Sequence, residues 1–230
     1  MKYSILIPYH KRPTFRITLK SFTDIYASRS DYEIIIVESQ RTYNDQNSHN
    51  ELLNILNDFS HKLKIKLILN SDSGYSCAPA YNQAFKNSSG EFIIITNPES
   101  PHTVNILSEL DKIYEQNKNI YVVCSCLAVH ENGTPLIWYQ HSIYNNRLLH
   151  FCSAISRQNW LKTNGFCEAY SNGVAFEDDD FLERVKLLNI PIITRDDLIV
   201  YHIEHQREYL SVELDAINRR LYNFIWDKKR

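Results

Sequence analysis

Four carboxylates in a row, Glu177-Asp178-Asp179-Asp180, stand between Phe176 and Phe181, with Arg184 one turn further on. Like charges this close repel, and they are tolerated most easily at a helix N-terminus, where unpaired amides and the macrodipole favour negative charge. A solvated helix start accounts for the run by position alone. The flanking phenylalanines argue instead that part of the turn is packed. A packed carboxylate beside others has a tunable proton affinity, which is the property a general base needs. On that account Asp178 or Glu177 takes the proton from an incoming hydroxyl.

Three further groups have side chains fit for chemistry. In Tyr201-His202-Ile203-Glu204-His205, after the strand-like LIVY, alternation puts His202 and Glu204 on one strand face and sends His205 elsewhere unless the chain turns. A histidine there serves as a hydrogen-bonded loop residue or as a metal ligand. In EFIIITNPES an apolar strand stops at Asn97-Pro98-Glu99, placing an amide, a fixed backbone and one carboxylate at a strand end. The stretch from Gly74 to Ala84 reads as a helix whose small residues pack close to a sheet, and Asn82 on it needs partners for its amide.

Short apolar runs and amphipathic stretches alternate through the first half. SILIPY, EIIIVES, KIKLILN and EFIIIT are strands; helical spacing appears at Phe15, Leu19, Phe22 and Ile25, at Leu52, Leu53, Ile55, Leu56 and Phe59, and at Ala80, Ala84 and Phe85. Strands apolar on both faces, alternating with helices, predict an α/β fold with a mostly parallel central sheet covered by helices. Ligands of such sheets sit at the carboxyl ends of the strands. Those ends are Pro8 to Arg12, Glu38-Ser39-Gln40, Asn70-Ser71-Asp72 and Asn97-Pro98-Glu99. The second half predicts a helix from about Thr103 to Glu115, the strand IYVVCSCLAV, aromatic-rich PLIWYQHSIY, a strand near Leu148 to Ile155 and a helix at FEDDDFLERVKLLN. A last helix carries Leu210, Leu214, Ile217, Leu221 and Phe224 at helical steps among basic residues. One domain is expected over 1–230: a nucleotide-binding half (1–100), an acceptor and catalytic half (101–206) and a C-terminal helix (207–230).

Composition sets the class. With 230 residues and 43% hydrophobic content the chain can bury a core. A formal net charge of −2 lacks the basic footprint of a nucleic-acid binder. No apolar run approaches the roughly 20 residues of a membrane span, and SILIPY begins too early for a signal peptide to precede it. Cys77, Cys124, Cys126, Cys152 and Cys167 are scattered and odd in number, as thiols of a cytoplasmic protein are. Cys124-Ser-Cys126 lacks the second pair a zinc site needs.

Taken in order, SILIPYHKRP, EIIIVESQ, AYNQA, SSGEFIIITNPES, TNGFCEAY, FEDDDFLER and YHIEH resemble a family 2 glycosyltransferase of the GT-A fold, over Ser4 to about His205. The resemblance implies an enzyme that moves a sugar from a nucleotide diphosphate sugar, UDP-linked, to an acceptor hydroxyl with inversion, using Mg²⁺ or Mn²⁺. The acceptor would be a glycan or glycolipid, and the product a surface polysaccharide or glycoconjugate. It further implies that Pro8, Tyr9 and Arg12 line the nucleotide pocket, and that Glu38 stands at the uracil- or ribose-contacting acid with Ser39 beside it. Asn97-Pro98-Glu99 replaces the Asp-x-Asp metal motif, which leaves Glu99 facing the metal and Asn97 the ribose. Asp178 is then the catalytic base beside Glu177, His202 completes the metal site, and Asn82 belongs to the nucleotide side.

Hard cations take oxygen ligands, and Mg²⁺ keeps several waters beside one or two carboxylates, so Glu99 with His202 can suffice. No basic residue is evident between Asn70 and Asn82 for the phosphates, a part that Arg12 or Lys11 can take. Trp138 and Tyr139, near His141 and Tyr144, offer rings on which an acceptor sugar can stack, and core packing explains Trp138 equally well. The last helix can pack on the domain, join a second subunit, or meet anionic lipid at the inner membrane face through Arg219, Arg220, Lys228, Lys229 and Arg230. Two other functions fit parts of the pattern. A sugar nucleotidyltransferase would show a glycine-rich basic loop where PYHKRP stands, and a binding module without catalysis would explain Asn97.

Overall fold

Successive residues of the central strands enter two different cores. Ile5, Ile7, Ile34, Ile36 and Ile94 pack into one cluster with Phe15, Leu52 and Leu110, and Leu6, Ile35, Val37, Ile93 and Ile95 into another with Ala84, Trp160 and Phe181. This two-sided burial places helices on both faces, as runs apolar at every position require. The structure is a computed structural model that describes residues 1–70, 72–205 and 211–227. Ser71, Leu210, Lys228, Lys229 and Arg230 lie outside them.

The elements run β1 (Tyr3–Tyr9), α1 (Phe15–Ile25), β2 (Tyr32–Glu38), α2 (Gln40–Asn44), α3 (Gln46–Phe59), β3 (Ile65–Leu69), α4 (Ala78–Lys86), β4 (Phe92–Thr96), α5 (Ile106–Gln116), β5 (Tyr121–Val129), β6 (Pro135–Gln140), β7 (Cys152–Ser156) and α6 (Arg157–Thr163). A 3₁₀ helix (Glu168–Asn172), α7 (Glu177–Leu187), β8 (Ile192–Ile203) and α8 (Val212–Trp226) follow. The sheet order is β3-β2-β1-β4-β7-β5-β6, with β8 pairing β5. β1 to β4 are parallel, β7 runs antiparallel to β4 and β5, and β5 pairs β6 antiparallel and β8 parallel. Serine, aspartate and asparagine caps start α2, α3, α5, α6 and α8.

Two expectations about the second half shift. The strand near Leu148 is shorter, beginning at Cys152, and the residues before it form a loop. The apolar stripe of the last helix is only partly covered: Leu214 and Leu221 are half-buried, Ile217 and Phe224 are exposed, and the buried positions of α8 are Asn218 and Trp226. No described helix is long and apolar enough to cross a membrane, and all five cysteines are free.

Candidate active site

The carboxyl ends of β1, β2, β3 and β4 open into one cavity of about 430 Å³, large enough for a nucleotide and part of a sugar. Pro8, Tyr9, His10 and Arg12 line it after β1, Ser39 after β2 with Arg41 from α2, Asn70 after β3, and Asn97, Pro98 and Glu99 after β4. The opposite wall is built by the second half: Phe151, Val174, Ala175, His202, His205 and, from α8, Asp215.

At one end three donors converge. His202 Nε2 and His205 Nε2 each lie 3.3 Å from Glu99 Oε1, and Arg12 Nε lies 3.4 Å from Glu99 Oε2. One ligand atom from each of Glu99, His202 and His205 falls within 4.8 Å of the others. His205 joins because β8 ends at Ile203 and the chain turns, which the strand alternation does not reveal. Tyr139 and Phe151 fix the His202 ring with centroids 5.0 and 5.2 Å away. Glu99 Oε2 is buried without a hydrogen-bond partner. Burial alone would raise the Glu99 carboxyl, but hydrogen bonds from His202 and His205 and the charges of His202 and Arg12 hold it well below the usual carboxylate range. An ionised carboxylate with one oxygen free of hydrogen bonds, beside two imidazoles, fits a divalent cation. Imidazole nitrogens suit transition ions better than Mg²⁺, which prefers an all-oxygen shell.

Across the cavity, Cys77 and Ala175 lie on the wall, and the Cys77 thiol donates to Glu177 Oε1 at 3.3 Å. Asp178 follows, its Oδ1 accepting from Asp179 N at 2.9 Å. Asp178 is not itself among the lining residues; it follows the lining residue Ala175 in the chain, in the first turn of α7. Burial and then the charge of Asp178 push the Glu177 carboxyl up to about 7, and burial raises Asp178 against the pull of backbone amides and Arg147. Between the two ends sits Tyr81, whose hydroxyl donates to Asn97 Oδ1 at 3.0 Å. After burial, the charges of Cys77, Glu99, Glu177 and Asp178 all raise its pKa, so both acid groups are within electrostatic reach of one hydroxyl. Asp180, by contrast, is structural: Arg184 and Trp226 Nε1 hold it in the interior.

A family model, "Glycosyl transferase family 2", matches residues 4–180. The chain belongs to glycosyl transferase family 2. Among solved structures, S. aureus TarS residues 1–349 in complex with UDP-GlcNAc is 16% identical over 97% of this chain and 66% of that one, with a TM-score of 0.73. The mannosyltransferase PcManGT from Pyrobaculum calidifontis with GDP-Man and Mn²⁺ is 15% identical over 90% and 58%, with a TM-score of 0.67. GalNAc-T7 with UDP, GalNAc and Mn²⁺ is 14% identical over 98% and 48%, with a TM-score of 0.73. At these identities the likeness carries the GT-A fold, and this chain spans about two thirds or less of each of these relatives. No curated protein matches by sequence.

Several residues that the family resemblance assigns to the pocket of this glycosyltransferase are engaged elsewhere. Glu38 is buried beside the cavity residues Val37 and Ser39 but turns to His49 Nδ1, 2.9 and 3.0 Å from its two oxygens. Strand alternation explains the turn, since Val37 faces the cavity and the next side chain must face away. The Asn82 amide is saturated: Nδ2 donates to Phe166 O and Glu168, and Oδ1 accepts from Phe166 N, which ties α4 to the loop after α6. Lys11 is paired with Asp45 at 3.0 Å. Trp138 and Tyr139 do not share a face; Trp138 clusters with His141 and Tyr144, whereas Tyr139 packs on His202.

A cation does stand against the 70–82 stretch, supplied by α2. The Arg41 guanidinium stacks 3.8 Å from the centre of the Tyr75 ring, and its Nη2 donates to Ser73 O at 3.0 Å. Nothing local to Arg41 announces this, because its partners are more than thirty residues away.

Proposed function

We propose that the chain transfers a sugar from a UDP-linked donor to a glycan or glycolipid hydroxyl, with inversion at the anomeric carbon. The observation that carries this is one cavity lined together by Glu99, His202 and His205, with the raised-pKa carboxyl pair Glu177–Asp178 following its wall residue Ala175 in the chain. Inversion needs the base and the leaving diphosphate on opposite sides of the sugar. Glu99, His202 and His205 would hold Mn²⁺, which when bound offsets the charge gathering on the departing diphosphate. Arg12, beside Glu99, orients the same phosphates. Asp178 accepts the proton of the attacking hydroxyl, and its charge raises the proton affinity of Glu177, which the Cys77 thiol holds. Neighbours of the same fold bound to UDP-GlcNAc, UDP and GDP-Man support a nucleotide-sugar donor.

The strand order places the rest of the nucleotide. From β4 to β2 is two strand spacings, about 10 Å, so a diphosphate at Glu99 sends its nucleoside toward Ser39, Arg41 and Asn70. Arg41→Ala is expected to weaken UDP binding about tenfold, the loss of one charged, stacked contact, as read by isothermal titration. Affinity unchanged in that variant would move the nucleoside away from α2.

The carboxyl pair also predicts a pH dependence. A raised pKa keeps the proton on the pair to higher pH, so the base is disabled over a wider acid range than for a free aspartate. The rate of UDP release is therefore expected to rise with pH up to near neutrality, and to show no step near the ordinary aspartate value of 3.8. A profile flat from pH 5 to 8 would remove the pair from the mechanism.

A binding module without catalysis is opposed by the triad and by the carboxyl pair, since binding alone needs no buried base. A nucleotidyltransferase is opposed by the β1 end, where Lys11 is paired and no glycine opens the loop.

A further inference from the structure

α8 lies beyond residues 4–180, the segment matched to the family, yet the loop that delivers Glu177 and Asp178 hangs on it. Asn218 is fully buried, and its Nδ2 donates to the carbonyl oxygens of Tyr170 at 3.0 Å and Ala175 at 2.8 Å. Val174 N donates to Leu214 O at 3.2 Å. Ala175 and Phe176 are consecutive left-handed residues, with φ of 62° and 69°. Neither side chain favours that region, so the pair persists only where the surroundings fix it. Phe176 is flanked by the Tyr222 ring at 5.5 Å and the Arg219 guanidinium at 5.3 Å. The loop also passes α8 at a distance only glycine permits: a Cβ on Gly173 would stand 2.4 Å from Asn218 Oδ1. That oxygen accepts no hydrogen bond, so the two donated bonds alone orient the amide.

We infer that Asn218 is a positioning residue for the reaction. By tying the carbonyls at both ends of the 170–175 loop, it holds the left-handed pair that sets the first turn of α7, with Glu177 and Asp178, against the cavity wall. The amide is required because both partners are carbonyl oxygens, and only a group with two N–H donors and no charge satisfies both. This deepens the proposed function and rests on its assignment of the base.

The test uses the full chain and four variants: Asn218→Ala, Gly173→Ala, the double variant, and Asp178→Asn as reference. Three quantities are read: UDP or GDP release with water as acceptor from the fastest donor in a panel of UDP-Glc, UDP-Gal, UDP-GlcNAc, UDP-GalNAc and GDP-Man; UDP affinity with Mn²⁺; and amide hydrogen exchange. For Asn218→Ala a fall in kcat of about 100-fold is expected, as for a reacting group displaced by about 1 Å. UDP affinity should stay within about threefold, and faster exchange should be confined to the 170–180 segment. Because a Cβ on Gly173 would meet the Asn218 amide as well as Leu214 O at 2.7 Å, the double variant should lose less than the product of the two single losses. Unchanged exchange over 170–180, kcat and UDP affinity falling in equal proportion, or multiplying losses in the double variant would each overturn the inference. Near-normal kcat in Asn218→Ala beside an inert Asp178→Asn overturns it while sparing the base assignment. An active Asp178→Asn overturns the assignment itself, and this inference with it.

Discussion

Asp178→Asn is expected to lower sugar release and transfer by about 10³-fold, within the range general bases contribute, and to leave UDP affinity with Mn²⁺ within about threefold. The substitution keeps the shape and the oxygen that accepts from Asp179 N, so the start of α7 stays in place. What disappears is the ability to take a proton. The same variant separates Asp178 from Glu177, because the Asp178 charge helps to raise the Glu177 pKa. If Glu177 were the base, Asp178→Asn would retain turnover and its pH profile would move toward lower pH, since removing a neighbouring negative charge lowers a carboxyl pKa. Lost turnover at every pH assigns the proton transfer to Asp178.

The second large effect falls on the triad. His205→Ala and Glu99→Gln are each expected to weaken Mn²⁺ binding by on the order of 100-fold or more, since even partners that only orient a ligand contribute about 10 to 100-fold. Titration of UDP should then show the Mn²⁺-dependent gain in affinity of the parent chain vanish in both. Glu99 also carries a stability signature. Its folded pKa lies below the ordinary 4.5, so its stabilisation is complete above the unfolded value and is lost as pH falls toward the folded one. Glu99→Gln should flatten the decline of the apo melting temperature below about pH 4.5. An equally steep decline in that variant would show that the pairing with Arg12, His202 and His205 adds nothing to the fold.

How far the sequence discloses this site depends on the range of the interaction that places each residue. Glu99 and the Glu177–Asp178 pair are legible because a strand end and a helix start are local patterns with a fixed relation to the sheet. His205 is not, since its place depends on where β8 stops and the chain turns. Glu38 has a suitable residue type at a suitable strand end, but one step of alternation decides its direction and His49 claims it. Asn82 needs partners, as its amide predicts, and the loop after α6 supplies them all. Arg41 and Asn218 act through contacts with distant segments, and Gly173 looks unremarkable until α8 is laid beside it. The sheet and the helices that cover it follow from periodicity; the antiparallel insertion of β7 does not, because burial patterns record depth and not direction.

The most direct test is a crystal structure of the full chain with UDP and Mn²⁺. One Mn²⁺ is expected to join Glu99, His202 and His205 to the diphosphate, with the uridine directed toward Arg41 and the Asp178 carboxyl facing the space reserved for the sugar. Mn²⁺ held away from the triad, or Asp178 cut off from the diphosphate by intact protein, would contradict the proposed mechanism.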